Sequence, residues 1–229
     1  MVRLDGRVAL IAGASSGLGA GFAREFAKAG AKTVLGARRA ERVSALVHEI
    51  EAAGGSALAV SLDVTDEASI IAAYDAAEDR FGPVDTILCN AGIANGGRST
   101  DVLADALGAL IDTNLRGVFL VAREGAKRLI ASGSREHQRG RIILTGSITA
   151  NQTGTGDAAY AATKAAVAHL GRQFAREWVR QGINVNVIQP GWIHTEINDG
   201  THGSETSNAW IAALPRKRLQ SAESLLPMM

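Results

Sequence analysis

Six short apolar runs recur along the chain, and helix-like segments separate them. The runs are RVALIAG (Arg7–Gly13), KTVLGA (Lys32–Ala37), SALAVSLDV (Ser56–Val64), DTILCN (Asp85–Asn90), RIILTGS (Arg141–Ser147) and INVNVIQP (Ile183–Pro190). Most are apolar nearly throughout, as parallel strands covered on both faces require. Between them, Phe22, Phe26 and Ala29 share one helical face, as do Val43, Leu46, Val47 and Ile50. Asp101 to Ile130 is long enough for two consecutive helices. Strands alternating with helices demand right-handed crossovers. The fold class expected is α/β: one Rossmann-like, doubly wound parallel sheet with helices on both faces, spanning 1–229 as a single domain. The polar stretch Ala131–Gly140 reads as a surface loop. There is no internal repeat or linker.

Composition narrows the function classes. Hydrophobic residues make up 46% of 229, enough for a substantial core. A formal net charge of +1 gives no bulk attraction to nucleic acid or an anionic membrane. No apolar stretch is long enough to span a bilayer. The single cysteine, Cys89, permits no internal disulfide and reads as a buried strand residue. A reducing, cytoplasmic location is expected. The five histidines have no metal-ligand spacing, so no metal is expected.

In such a sheet, ligands bind where the carboxyl ends of the strands meet a reversal of strand order. At the end of the first run stands AGASSGLGAG, with Gly13, Ser15, Ser16, Gly17, Leu18 and Gly19 opening a helix. Glycines let a pyrophosphate approach the backbone, and the helix N-terminus offers free N–H groups and a positive dipole end. The spacing is Gly-x-x-x-Gly-x-Gly, and a tight ligand-free turn is the other reading. The second run ends at Ala37, followed by Arg38 and Arg39 where an acidic residue would hold an adenosine ribose diol. Guanidinium pairs with a 2′-phosphate through two parallel bonds, which favours NADP(H) and leaves NAD(H) possible. A solvated helix start carrying arginines is the alternative.

Tyr160 and Lys164, in YAATK, lie four apart on one helix face, and Ser147 ends the fifth run. A free tyrosine ionises near pH ~10. A neighbouring ammonium and an oxidised nicotinamide favour the phenolate, making Tyr160 a general acid in reduction and a general base in oxidation. Ser147 would donate to the substrate oxygen. Tyr74 reads as a helix position remote from any motif.

AGASSGLG, LDV (Leu62–Val64), CNAG (Cys89–Gly92), Asn114, Ser147, YAATK and PGWIHT (Pro190–Thr195) occur together in one order. This series resembles the short-chain dehydrogenase/reductase family from the N-terminus to about Thr195. The resemblance implies a nicotinamide-dependent reductase or dehydrogenase acting on a small carbonyl or alcohol substrate. It implies a water-linked proton relay through Asn114 behind Lys164. It implies adenine contacts for Asp63 and Val64, cofactor-lining roles for Asn90, Ala91 and Gly92, and a nicotinamide-holding role for Pro190, Gly191, Ile193 and Thr195. Gly146 stands where the family often has a serine. Glu196–Pro215 falls where the family carries a substrate lid. Ile148, Gln152, Trp192 and Ile197 are candidate pocket residues, with His194 and His202 flanking the lid and Trp210 packing a short helix within it. The ending LQSAESLLPMM departs from the family, which continues with a helix and a seventh strand. The expectation is a sheet without that strand, its sixth strand unpaired at the edge. A homodimer through the helices around Asp101–Ile130 and Asp157–Gln181, or a homotetramer, is expected. The rival functions are a cofactor-binding sensor or scaffold without useful turnover, and a same-fold isomerase or dehydratase.

Overall fold

The computed structural model describes residues 3–94, 97–193, 211–212, 214, 216–220 and 224–225. Six strands form one parallel sheet: β1 (Val8–Ala12), β2 (Lys32–Ala37), β3 (Ser56–Ser61), β4 (Thr86–Cys89), β5 (Gly140–Thr145) and β6 (Ile183–Ile188). Their spatial order is β3-β2-β1-β4-β5-β6, all pairs parallel. The order reverses between β1 and β4, and the crevice at that reversal opens at the strands' carboxyl ends. Among the described residues, β6 is the edge strand beside β5.

Helices cover both faces, and each strand divides its side chains between them. On one side lie α3 (Glu67–Phe81), α4 (Ala104–Ile111), α5 (Val118–Ala131) and α7 (Ala158–Trp178). There Ile87, Cys89, Ile142 and Leu144 of the sheet pack with Ile70, Tyr74, Val121 and Phe174. On the other side, α1 (Gly17–Lys28) and α2 (Ala40–Ala52) bring Phe22, Phe26, Val43 and Leu46 against Ile11, Leu35 and Leu88. Full burial of both faces explains why β1 and β4 read as continuous apolar runs. Tyr74 is a core residue; its hydroxyl donates to the Val121 carbonyl at 3.0 Å. Cys89 is buried, and burial pushes its thiol far up.

Three details differ from the sequence reading. The stretch Ala131–Gly140 is not simply a loop: Ser134–His137 forms a single helical turn, α6. Ser134 is buried there and donates to the Gln181 carbonyl at 2.5 Å. The third run stops pairing at Ser61, although Leu62 and Val64 beyond it remain buried. Finally, α4 and α5 are joined by a π-helical turn, Asp112–Gly117, which carries Asn114.

Candidate active site

Every strand hands a candidate residue to the same edge of the sheet. Gly13 follows β1, Arg38 and Arg39 follow β2, and Asp63 follows β3. Asn90, Ala91 and Gly92 follow β4, Ser147 follows β5, and Pro190 follows β6.

The glycines of the first turn serve two purposes. Gly13 has φ +87°, and a Cβ there would stand 2.6 Å from Ala91 Cα. A Cβ on Gly19 would collide with the Gly13 carbonyl and lie 2.7 Å from Asn90 Nδ2. The chain's own packing therefore demands these two. Gly17, with φ +54°, opens α1, whose Ser16 N-cap makes no side-chain capping bond. No acidic residue lies in the first turn. An uncapped helix start with a positive dipole end and no competing carboxylate suits an anion. Asn90 braces this turn, donating from Nδ2 to the Gly13 carbonyl at 3.0 Å.

The two arginines are used differently. The guanidinium of Arg39 donates to Ser15 Oγ at 2.8 Å and to Ser16 Oγ at 2.7 Å, tying β2's end to the glycine turn. Arg38 is exposed, and its charge reaches Asp63. Asp63 Oδ1 accepts from the Thr65 N–H at 2.9 Å and the Thr65 hydroxyl at 2.8 Å. The Thr65 N–H leads in holding the Asp63 carboxyl below the usual carboxylate range, against its partial burial. Val64 is buried beneath the π turn, where a Cβ on Gly117 would stand 2.7 Å from Val64 Cγ2.

Ser147, Tyr160, Lys164 and Asn114 converge at the end of β5. Ser147 starts a short 3-10 turn and is buried; its Oγ accepts from the Thr149 hydroxyl at 2.9 Å and the Thr149 N–H at 3.2 Å. With those acceptor sites filled, its own proton is left to donate. Burial raises the Tyr160 phenol above its ordinary value, the Ser147 hydroxyl opposes that by favouring the phenolate, and the charge of Asp157 adds to the rise. Lys164 is buried, and burial lowers its ammonium to about 8. Its Nζ donates to the Thr145 carbonyl at 2.9 Å and lies 5.6 Å from the Tyr160 ring centroid. Gly92 lies beside it: a Cβ there would stand 3.6 Å from that Nζ.

Asn114 is fully buried, and its amide is committed. Oδ1 accepts from the Ile93 N–H at 2.9 Å, and Nδ2 donates to the Ile93 carbonyl at 2.8 Å and to Thr163 Oγ1 at 3.4 Å. Thr163 in turn donates to the Tyr160 carbonyl at 2.7 Å. The side chain thus clamps the segment after β4 onto α7, and any proton relay at Asn114 must run through its main chain. A π turn, which shifts backbone bonding by one residue, is a common device at functional sites.

On the far side, the Pro190 carbonyl accepts from the Ile148 N–H at 3.0 Å, and Gly191 and Trp192 are exposed. Ile193 is buried and forms one parallel bridge with Gln220. Thr195, His194, Ile197, His202, Trp210 and most of the 196–215 segment lie outside the described residues. The sequence reading missed Thr145, Thr149, Thr163 and Asp157, which contact or bias the central four. Thr163 sits inside YAATK, one position before Lys164, and was the one with a motif to find it by. Among the described residues no group of acids, histidines or cysteines could hold a metal, and no helix is long and apolar enough to cross a membrane.

A parallel sheet reversed at β1/β4, an anion-ready helix start and a Ser–Tyr–Lys cluster beside it define a dinucleotide-dependent oxidoreductase. The short chain dehydrogenase family model matches residues 7–205. The chain is 40% identical over 195 residues to 2,5-dichloro-2,5-cyclohexadiene-1,4-diol dehydrogenase LinX of Sphingobium indicum, covering 85% of this chain and 76% of that one. It is 33% identical over 224 residues to gluconate 5-dehydrogenase of Gluconobacter oxydans, covering 97% and 86%. A gluconate 5-dehydrogenase from Burkholderia cenocepacia, solved in complex with NADP and tartrate, superposes with a TM-score of 0.92 at 34% identity, covering 99% of this chain and 87% of that one. The chain belongs to the short-chain dehydrogenase/reductase family. It is an NAD(P)-dependent oxidoreductase acting on alcohol or carbonyl groups.

Proposed function

We propose that the chain interconverts a ketone and a secondary alcohol with NADP(H), Tyr160 exchanging the proton and Ser147 holding the substrate oxygen. The observation that carries this reading is the convergence of the Ser147 and Tyr160 hydroxyls beside the buried Lys164 ammonium. The nicotinamide, when bound, supplies hydride to the carbonyl carbon or takes it from the alcohol. Tyr160 gives a proton to the oxygen in reduction and removes it in oxidation. Lys164 and the bound cofactor must together overcome the burial that keeps the phenol neutral. Ser147 donates its free proton to the oxygen as charge develops there. Asn114 holds Ile93 and Gly92 in place below the ammonium.

The residues fit a dinucleotide. The start of α1 would take the diphosphate, with Ser15, Ser16 and Leu18 in the turn around it. Asp63 and Val64 would border the adenine. Asn90, Ala91 and Gly92 would line the ribose and nicotinamide, with Pro190, Gly191, Ile193 and Thr195 beyond. Arg38 is free to pair with a 2′-phosphate, while Arg39 stiffens the turn; this arrangement supports NADP(H) over NAD(H). A fluorescence titration of the full chain should give tighter binding for NADPH than NADH. Arg38→Asp combined with Arg39→Ala should move the affinity ratio toward NADH by about tenfold or more. Equal affinities in the parent protein, or an unmoved ratio in the variant, would refute the assignment.

The assembly proposed is a homodimer through α4, α5 and α7. Leu107, Ile111 and Phe119 are exposed along α4 and α5, and Phe119 packs at 5.4 Å against the buried Phe174 of α7. An apolar stripe of this kind is costly to leave in water. Phe119→Glu should convert the species seen in sedimentation from dimer to monomer; a parent protein that already sediments as a monomer would sink the proposal.

A further inference from the structure

Ser147 is the N-cap of the 3-10 turn Ile148–Ala150. Its Oγ accepts from the Thr149 N–H at 3.2 Å, which is the bond a cap requires. It also accepts from the Thr149 hydroxyl at 2.9 Å. The turn does not need this second bond, because the N–H alone caps it. A hydroxyl has two acceptor positions and one proton. Thr149 fills both acceptor positions of Ser147, so donating its proton is the one polar function Ser147 has left. Among the described residues the Thr149 hydroxyl has no partner other than Ser147.

The consequence falls on Tyr160, whose hydroxyl is within bonding reach of Ser147. Two hydroxyls pair with either one as the donor. A vacant acceptor position on Ser147 would draw the phenol proton away from the substrate. Building on the oxidoreductase reading above, we infer that Thr149 is a positioning residue for the reaction. Its hydroxyl closes the second acceptor position of Ser147, so that Ser147 acts only as a donor and the Tyr160 proton stays available to the substrate oxygen. The pair then has one polarity before the substrate arrives, and no hydroxyl has to turn as charge develops.

Thr149→Val keeps the N–H and the side-chain shape and removes only the hydroxyl, whereas Thr149→Ser keeps the hydroxyl. With diacetyl and saturating NADPH, Thr149→Val should lower kcat by about tenfold and leave KM within about twofold of the parent. Thr149→Ser should restore kcat to within about threefold. In a Ser147→Ala background, Thr149→Val should change kcat by less than about twofold, because the lost hydroxyl acts only through Ser147. A second readout needs neither substrate nor cofactor. Near pH ~10, the phenolate fraction of Tyr160 in the free protein, followed by NMR of isotope-labelled tyrosine, should fall in Thr149→Val. The expected fall is about threefold, since a vacant Ser147 acceptor holds the phenol proton. It should be absent in the Ser147→Ala background. A kcat unmoved by Thr149→Val, a loss that Thr149→Ser does not restore, or an equal loss in the Ser147→Ala background would overturn the inference. So would an unmoved phenolate fraction, which decides alone if the parent does not reduce diacetyl. Undiminished turnover in Ser147→Ala itself would instead remove Ser147 from the underlying reading, and this inference with it.

Discussion

Tyr160→Phe is expected to lower kcat by about three orders of magnitude, within the range general acid–base groups command. NADPH affinity should change by less than about threefold, since the ring and its packing are kept and only the hydroxyl is lost. That hydroxyl is the group that Ser147 faces and whose ionisation the charge of Asp157 opposes, so it is where the site's polar influences meet. Stopped-flow measurement of NADPH oxidation against a reducible diketone, alongside a nucleotide titration, reads both quantities. A variant with undiminished turnover would remove Tyr160 from the mechanism. Equal loss of nucleotide binding would give it a binding role instead. Burial, with the charge of Asp157 adding to it, raises the phenol in the free protein. In reduction Tyr160 must hold its proton, so the alkaline limb of activity should be set by the phenol of the cofactor-loaded site.

Much of this was legible in the chain because parallel strands buried on both faces cannot alternate. Lys32–Ala37 was read with its observed ends. Ser56–Val64 was read too long because Leu62 packs over Gly36 and Val64 under Gly117, and burial without pairing leaves the same apolar trace as a strand. The helical turn at Ser134–His137 was hidden because its anchor, the Gln181 carbonyl, is 47 residues away. The positions of Asn114, Ser147, Tyr160 and Lys164 could be found by motif, but their partners could not. Thr149 reaches Ser147 across two residues, and Asp157 biases Tyr160 across three, yet both depend on the backbone turns between them. The π turn has no local signal in DTNLRG; it follows from the demand that Asn114 reach both polar groups of Ile93. The glycine-rich turn was ambiguous for a physical reason. Gly13 and Gly19 are required by packing whether or not a ligand binds, so their presence alone could not distinguish the two readings.

Lys164→Met should abolish turnover and yet stabilise the unliganded protein. The ammonium is buried, and among the described residues it makes one hydrogen bond, to the Thr145 carbonyl, and has no carboxylate partner. Burial lowers it from the usual 10.5 to about 8. At pH 7 both folded and unfolded chains carry the charge, so the folded protein bears the whole penalty, about 3 kcal/mol. Methionine has similar length and no charge, but it leaves the Thr145 carbonyl without its donor, which costs about 1–2 kcal/mol. The net gain in unfolding free energy at pH 7 is therefore about 1–2 kcal/mol. Above pH 8 the folded parent sheds the proton while the unfolded chain keeps it up to about 10.5. Parent stability then rises with pH, and the variant's advantage shrinks and should vanish near pH 10. Urea unfolding of both proteins at pH 7 and 9.5 measures the crossing. A variant less stable at pH 7 would mean that the Thr145 bond outweighs the buried charge. A gain that persists at pH 9.5 would mean that the ammonium is not the source of the strain. The expected pattern identifies Lys164 as a residue held at a cost to the fold, because the site needs a cation beside the phenol that exchanges the proton.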